Sequence, residues 1–380
     1  MKICLTTEHY SPHVGGVEIV FQEYAKRLSQ RGHQVRIVTS NSGGITGQKK
    51  INNKLTIYYL QCSSFFNHPV FSKKQLSAHI QWADIIHTTT FTAALPSVSL
   101  AKKYKKPCIL MVHEVLREKW FTVEKNPLKV LAFLFFEWYV INKKYTLWQV
   151  ISMSTKEDLL KYSIPENKIR TIYHGIDYKL WNKNVSKKSL TKLFKVLTSK
   201  KIILYNGRPG QTKGIFVLLD AIKKIKSKLP KDFIFGFIIS DTPEQERRKF
   251  IKLVKKNKLT NVIKITKALP YDQLPSYRKD AFAFVVPSIT EGFGFTTAET
   301  SALDIPLIVS DVGSIPEVAS GKVLFFKNRD STDLSKKILL AIKNKFNNIT
   351  LKKFNWDNTI NKVEKIYTES VNSKQTKGNK

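Results

Sequence analysis

The sequence predicts an α/β protein made of two tandem doubly wound parallel-sheet (Rossmann-like) domains. Three observations carry that expectation. Short apolar strand-like runs alternate with helical stretches, the alternation restarts near residue 201, and in each half a glycine-bearing loop follows the first strand. A length of 380 residues suits two domains, and 42% apolar content is enough for two cores.

KICLT (2–6) reads as a buried strand, EHYSPHVGG as a loop, and a helix is expected from about Val17 to Gln30, with Gly32 where a C-cap belongs. QVRIVTS (34–40), ADIIHTTT (83–90), PCILMVHE (107–114) and WQVISMS (148–154) continue the strand series, with a helix near 93–104. The second series runs KIILYNG (201–207), an amphipathic helix over 214–229, FIFGFIIS (233–240), a charged helix near 244–257, then NVIKIT (261–266), FAFVVPS (282–288) and PLIVS (306–310). WDNTINKVEKIYTES reads as a helix, and the polar tail after it as disordered. Sheets of this kind bind ligands at the carboxyl ends of their strands, and two facing domains can share one cleft.

The three cysteines, Cys4, Cys62 and Cys108, have no metal-ligand spacing and fit a reducing compartment. The first residues lack a signal-peptide run, and VLAFLFFEWYVI (130–141) is too short to span a bilayer. The expected location is therefore cytoplasmic. Net charge is +35, and only ten of the 64 cationic residues are arginine. Lysine supplies a diffuse field for anionic partners rather than bidentate base or phosphate clamps. No nucleic-acid-binding module accompanies the charge, and no G-x-G-x-x-G follows the first strand, which argues against a dinucleotide-dependent dehydrogenase.

Two stretches carry chemistry. EGFGFTTAE (291–299) follows the strand FAFVVPS, and its glycines place a helix start near Phe295. The first turn of such a helix offers backbone N–H groups and a positive dipole end to an anion. Glu299 lies about one turn in, and Glu291 hangs from the preceding loop. A carboxylate can accept from two neighbouring sugar hydroxyls. Equally, Glu299 can be a dipole partner and Glu291 a turn residue. NGRPGQTKG (206–214) brings Arg208 and Lys213 to one strand end between Gly207 and Gly214. The pair can neutralise a diphosphate, or can be two solvated charges.

Taken in order, G-R-x-x-x-x-K-G followed by E-x7-E resembles the nucleotide-sugar domain of retaining glycosyltransferase family 4, which has the GT-B fold. HYSPHVGGVE (9–18), residues 152–177, SDVGSIPEV (310–318) and FNWDNTINKVEKIY (354–367) resemble the family's N-terminal glycine loop, interdomain passage, post-glutamate segment and closing helix. The resemblance implies an acceptor-binding domain over 1–172 and a nucleotide-sugar-binding domain over 173–355. A helix over 356–370 would return to the first domain, ahead of a disordered basic tail over 371–380. By the same resemblance, Glu299 binds the ribose and Arg208 and Lys213 hold the diphosphate. The amides of Phe295 and Thr296 cap the phosphates, with Gly207, Gly292, Phe293 and Gly294 shaping that loop. Glu291 and His113 contact the donor sugar, and Gly15 and Gly16 allow close approach. His9 and His13 are acceptor-side candidates, while His33 and His87 read as structural.

The chain has no D-x-D, so a donor of UDP or GDP type is expected to need no metal and no cofactor, with retention by a front-face route. It departs from the family pattern at His174, where N-G-[VI]-D reads HGID, at Lys267 before the base-binding loop, and at SDTPE (240–244). Residues 116–145 interleave lysine and arginine with aromatics, Trp120 and Phe121 among them. This suggests an anionic membrane surface and a glycan or lipid-linked acceptor at the inner face of the membrane. A core helix over 130–136 is the competing reading. Alternatives to a hexosyltransferase are another GT-B enzyme, such as a glucan synthase or sugar-nucleotide epimerase, and a basic nucleic-acid-binding protein.

Overall fold

Strand-forming runs of the N-terminal half assemble into one eight-stranded sheet in the computed structural model, which describes residues 1–11, 16–41, 44–65 and 68–378. From edge to edge its strands are Ile169–Thr171, Leu147–Val150, Cys108–Val112, Ile85–Thr89, Lys2–Thr6, Gln34–Ser40, Leu55–Leu60 and Gly47–Asn52. All pair in parallel except the last, which pairs antiparallel. The central strands are buried along almost their whole length, as parallel strands covered on both faces must be. Strand order reverses between Lys2–Thr6 and Ile85–Thr89, which opens a crevice at their carboxyl ends.

The second sheet runs Ile263–Lys267, Phe233–Ile239, Lys201–Gly207, Ala283–Val286, Leu307–Asp311, Gly321–Lys327 and Asn347–Ile349, again with only the last strand antiparallel. Its reversal lies between Lys201–Gly207 and Ala283–Val286, the two strands that feed NGRPGQTKG and EGFGFTTAE.

The chain divides into Met1–Gly175 with Asn355–Lys380, and Ile176–Phe354. The helix Trp356–Gly378 thus belongs to the first unit. There Arg31 and His33 pair with Glu364, and His87 Nδ1 lies 2.7 Å from the Tyr367 hydroxyl. The helix continues through Gly378, so the tail expected to be disordered is helical over that span; no proline or internal glycine interrupts VNSKQTK. Seven strands escaped the sequence reading: Gly47–Asn52, Leu55–Leu60 and Gly321–Lys327, and the three-residue strands Ser63–Phe65, His68–Val70, Ile169–Thr171 and Asn347–Ile349. Gly47–Asn52 is exposed at all six positions, so it has no apolar alternation to announce it.

Candidate functional site

In the second unit the two sequence motifs meet at the sheet's reversal. Tyr205 donates from its hydroxyl to the Arg208 carbonyl at 3.0 Å, and Ile289 N donates to Thr212 O at 2.8 Å, which stitches the loops together. Gly214 caps the helix Ile215–Ile225 with φ of +64°, and a Cβ there would fall 1.6 Å from Pro287 O. Only glycine permits that approach. Arg208 projects into solvent, whereas Lys213 Nζ pairs with Glu291 Oε2 at 2.8 Å. Ser288 donates to the same oxygen at 3.1 Å, and the backbone of Glu291 is pinned by Ser314 N, with Gly313 packed against its carbonyl. Lysine has three donors, so this pairing leaves Lys213 able to reach an anion as well.

Gly294, with φ of +87°, opens the helix Phe295–Ala302. Thr297 and Ala298 both donate back to Gly294 O, and the half-buried Phe295 and Thr296 put their amides at the mouth of the helix. The Phe293 side chain is committed to packing, with its ring centroid 4.9 Å from Phe295 and 5.4 Å from Phe354.

Glu299 lies deeper than the sequence suggested. It is 3% exposed; its Oε2 pairs with Arg278 Nη1 at 2.9 Å and its Oε1 accepts from the Tyr271 hydroxyl at 2.6 Å. Arg278 also donates to Asn206 at 2.8 Å and lies over the Trp181 ring, while Trp181 donates to Tyr271 at 2.9 Å. Burial pushes the Glu299 carboxyl above the usual carboxylate range, against the pull of Arg278 and Tyr271. None of Asn206, Trp181, Tyr271 and Arg278 stood out in the sequence. SYRKD (276–280) looks like one more charged surface segment.

In the first unit His9 and His113 line one cavity of 190 Å³ with Glu8, Glu18 and Phe91, where the strands Lys2–Thr6, Ile85–Thr89 and Cys108–Val112 end. Thr92 donates to Glu8 from both backbone and side chain. Phe91 holds a φ of +84°, strained for a bulky residue and characteristic of ligand-binding edges. His113 Nε2 is buried without a hydrogen-bond partner among the described residues. Gly16 begins the helix Gly16–Gln30. His13 and Gly15 lie outside the described residues. His174, the departure from the family asparagine, is buried, with its ring stacked on Trp356 at 6.2 Å and 6.0 Å from His113. The next residue must be glycine, because a Cβ on Gly175 would lie 2.4 Å from Trp356.

These histidines make stability depend on pH. Burial lowers His79 and His113 to about 4 and His87 to about 3. The unfolded chain, titrating near 6.5, takes up protons that the fold refuses. Stability is therefore complete above pH 6.5 and declines as pH falls toward 4, by about 1.4 kcal/mol per pH unit for each imidazole. Urea midpoints measured across that range should fall steadily, and His113→Asn should make the slope shallower. A flat profile would mean that these rings protonate freely in the folded state.

The basic-aromatic segment resolves into two faces. Asn126 caps the helix Pro127–Ile141 by accepting from Leu128 N and Lys129 N, and Pro127 occupies its first turn. Its inner face carries Val130, Glu137, Val140 and Ile141. The Glu137 carboxylate, 9% exposed, accepts from Leu116 N, Arg117 N and Trp120 Nε1 at 3.0 Å each and from the Tyr162 hydroxyl at 2.6 Å. Trp120 is therefore buried, against the expectation of a surface role, because its indole N–H is spent on Glu137 and its ring packs on Phe133. Outward stand Leu128, Leu131, Phe135 and Trp138, which are 75%, 57%, 64% and 50% exposed. The core-helix reading of 130–136 fails for that face.

Two family models match the chain: Glycosyltransferase Family 4 over residues 14–180 and Glycosyl transferases group 1 over residues 190–358. The chain is 23% identical over 397 residues to an uncharacterized glycosyltransferase of Methanocaldococcus jannaschii, covering 97% of this chain and 98% of that one. It is 22% identical to the gpi3 subunit of phosphatidylinositol N-acetylglucosaminyltransferase from Schizosaccharomyces pombe, covering 96% and 79%. Among solved structures, Anabaena HepE in complex with UDP-glucose superposes with a TM-score of 0.75 at 15% identity, covering 97% and 100%.

Proposed function

Since the chain belongs to the group 1 glycosyl transferases of glycosyltransferase family 4, with the GT-B fold, we propose that it moves a hexose from a UDP- or GDP-sugar to a membrane-associated glycan or lipid-linked acceptor, with retained configuration and without a metal. The observation that carries this reading is the convergence of Arg208, the Lys213–Glu291 pair and the mouth of the Phe295–Ala302 helix at one sheet reversal. Two cations and a helix dipole supply the positive charge that a departing diphosphate needs.

In this mechanism the bond from the anomeric carbon to the diphosphate oxygen breaks and the acceptor oxygen bonds to the same face. The acceptor proton leaves on the released nucleoside diphosphate. Ribose hydroxyls take the place of the Tyr271 hydroxyl on Glu299, whose geometry Arg278 fixes. Glu291 and His113 are assigned to the transferred sugar and His9 to the acceptor. The His113 Nε2 atom, buried without a hydrogen-bond partner among the described residues, supports the assignment of His113. The relatives' printed activity on phosphatidylinositol and the exposed apolar face of the Pro127–Ile141 helix support an acceptor at a lipid surface.

Thermal unfolding with UDP-, GDP- and ADP-sugars in excess EDTA tests the donor site. One nucleotide class should stabilise by about 2.7 kcal/mol at a hundred times its Kd, and the transferred sugar should keep its anomeric configuration by NMR. Stabilisation by oligonucleotides alone, or an inverted product, would refute the reading.

A further inference from the structure

A cavity of 460 Å³ opens in the first unit and shares no lining residue with the cavity of His9 and His113. Its walls are apolar, with Phe71, Leu95 and Val98 among them, and its rim carries Lys73, Lys102, Lys143 and Lys144. No carboxylate lines it among the described residues, and none of the four lysines pairs with a described acid. Lys102 and Lys143 sit at the carboxyl ends of the helices Ala94–Lys103 and Pro127–Ile141, where a lysine is at home. That accounts for each singly, but not for lysines from two helices, with Lys73 from a third, ringing one apolar hollow.

The cavity also adjoins the outward face of the Pro127–Ile141 helix. Tyr139 belongs to both: it stacks on Phe135 at 6.0 Å and lines the cavity, with Lys143 Nζ 3.3 Å from its ring centroid. An apolar stripe therefore leads into a cationic pocket. That order of chemistry, acyl chain and then phosphate, is the order in a phospholipid. The volume falls within the ~300–1,000 Å³ of small-ligand sites.

We propose that this cavity binds the headgroup of a membrane phospholipid that ends in a phosphomonoester. The phosphate sits among Lys73, Lys102, Lys143 and Lys144, and the chain end lies against Phe71, Leu95 and Tyr139. A compact dianion suits converging ammonium groups better than a monoanionic diester does. The inference rests on the membrane-facing reading of the Pro127–Ile141 helix and adds headgroup selection to it.

The test is flotation of the full chain with phosphatidylcholine vesicles containing either phosphatidic acid or phosphatidylglycerol, matched for zeta potential. The wild type should partition at least fivefold better onto the phosphatidic acid vesicles. Lys102→Ala with Lys144→Ala should erase that preference, whereas the charge-matched control Lys255→Ala with Lys256→Ala should retain it. Phe135→Ser with Trp138→Ser should weaken binding to both vesicles and leave the preference intact. If that last pair changes nothing, the helix-docking reading fails while the pocket stands. Equal partitioning of the wild type, or a preference that survives in the pocket variant, overturns the pocket. Full competition by millimolar inorganic phosphate would assign the cavity to free phosphate and overturn the lipid.

Discussion

Arg278→Met should destabilise the second unit by about 3–5 kcal/mol, because it leaves Glu299 as an uncompensated charge in a buried position. Arg278 is 2% exposed, and it holds Glu299 and Asn206 at once, so no solvent can replace it. The charged form of Glu299 is already disfavoured by burial, and without the guanidinium the carboxyl either protonates or drags water inward. Replacing both partners, Arg278→Met with Glu299→Leu, should recover most of the loss, since an apolar pair of similar volume costs little. The double variant should nevertheless lose protection by sugar nucleotide. Urea denaturation of the single and double variants checks this. A single variant as stable as the wild type would show that the ion pair does not hold this corner of the fold. A double variant still protected by nucleotide would remove Glu299 from the site.

Arg208→Ala and Lys213→Ala should each raise the barrier for transfer by about 2.7–4 kcal/mol, a loss of roughly 10²–10³ in kcat. Their structural settings separate the two. Arg208 stands in solvent, so its removal should leave stability unchanged and act on turnover alone. Lys213 also neutralises Glu291, so Lys213→Ala should additionally disturb binding of the sugar. Steady-state kinetics on any accepted donor would reveal the difference as kcat falling alone in the first case and KM rising with it in the second. A fall of less than fivefold in both would place the diphosphate elsewhere.

Much of this architecture was legible in the sequence because buried parallel strands are short apolar runs and because glycines mark where loops must pass close to other backbone. Gly214 and Gly294 illustrate the second point, each with positive φ at a helix start. The strands Leu55–Leu60 and Gly321–Lys327 were missed although LTIYYL and VLFF are strand-forming runs, whereas Gly47–Asn52 had only the exposed Ile51 to read. The partners of Glu299 were illegible for a different reason. Tyr271 and Arg278 lie 28 and 21 residues before it, and only the fold brings them to its carboxylate. Trp120 misled because an aromatic among basic residues looks the same in sequence whether it faces lipid or, as here, a buried glutamate.

The Trp356–Gly378 helix has a consequence for how the protein is made. Its tryptophan covers Gly175 and its Tyr367 meets His87 beneath the first sheet, so a nascent chain that has produced all eight strands of that sheet still exposes the surface they leave uncovered. The ribosome must deliver the whole intervening domain before the earliest one can close. A molecule cut short by premature termination would therefore carry its defect in the half synthesised first, where proteolysis can find it.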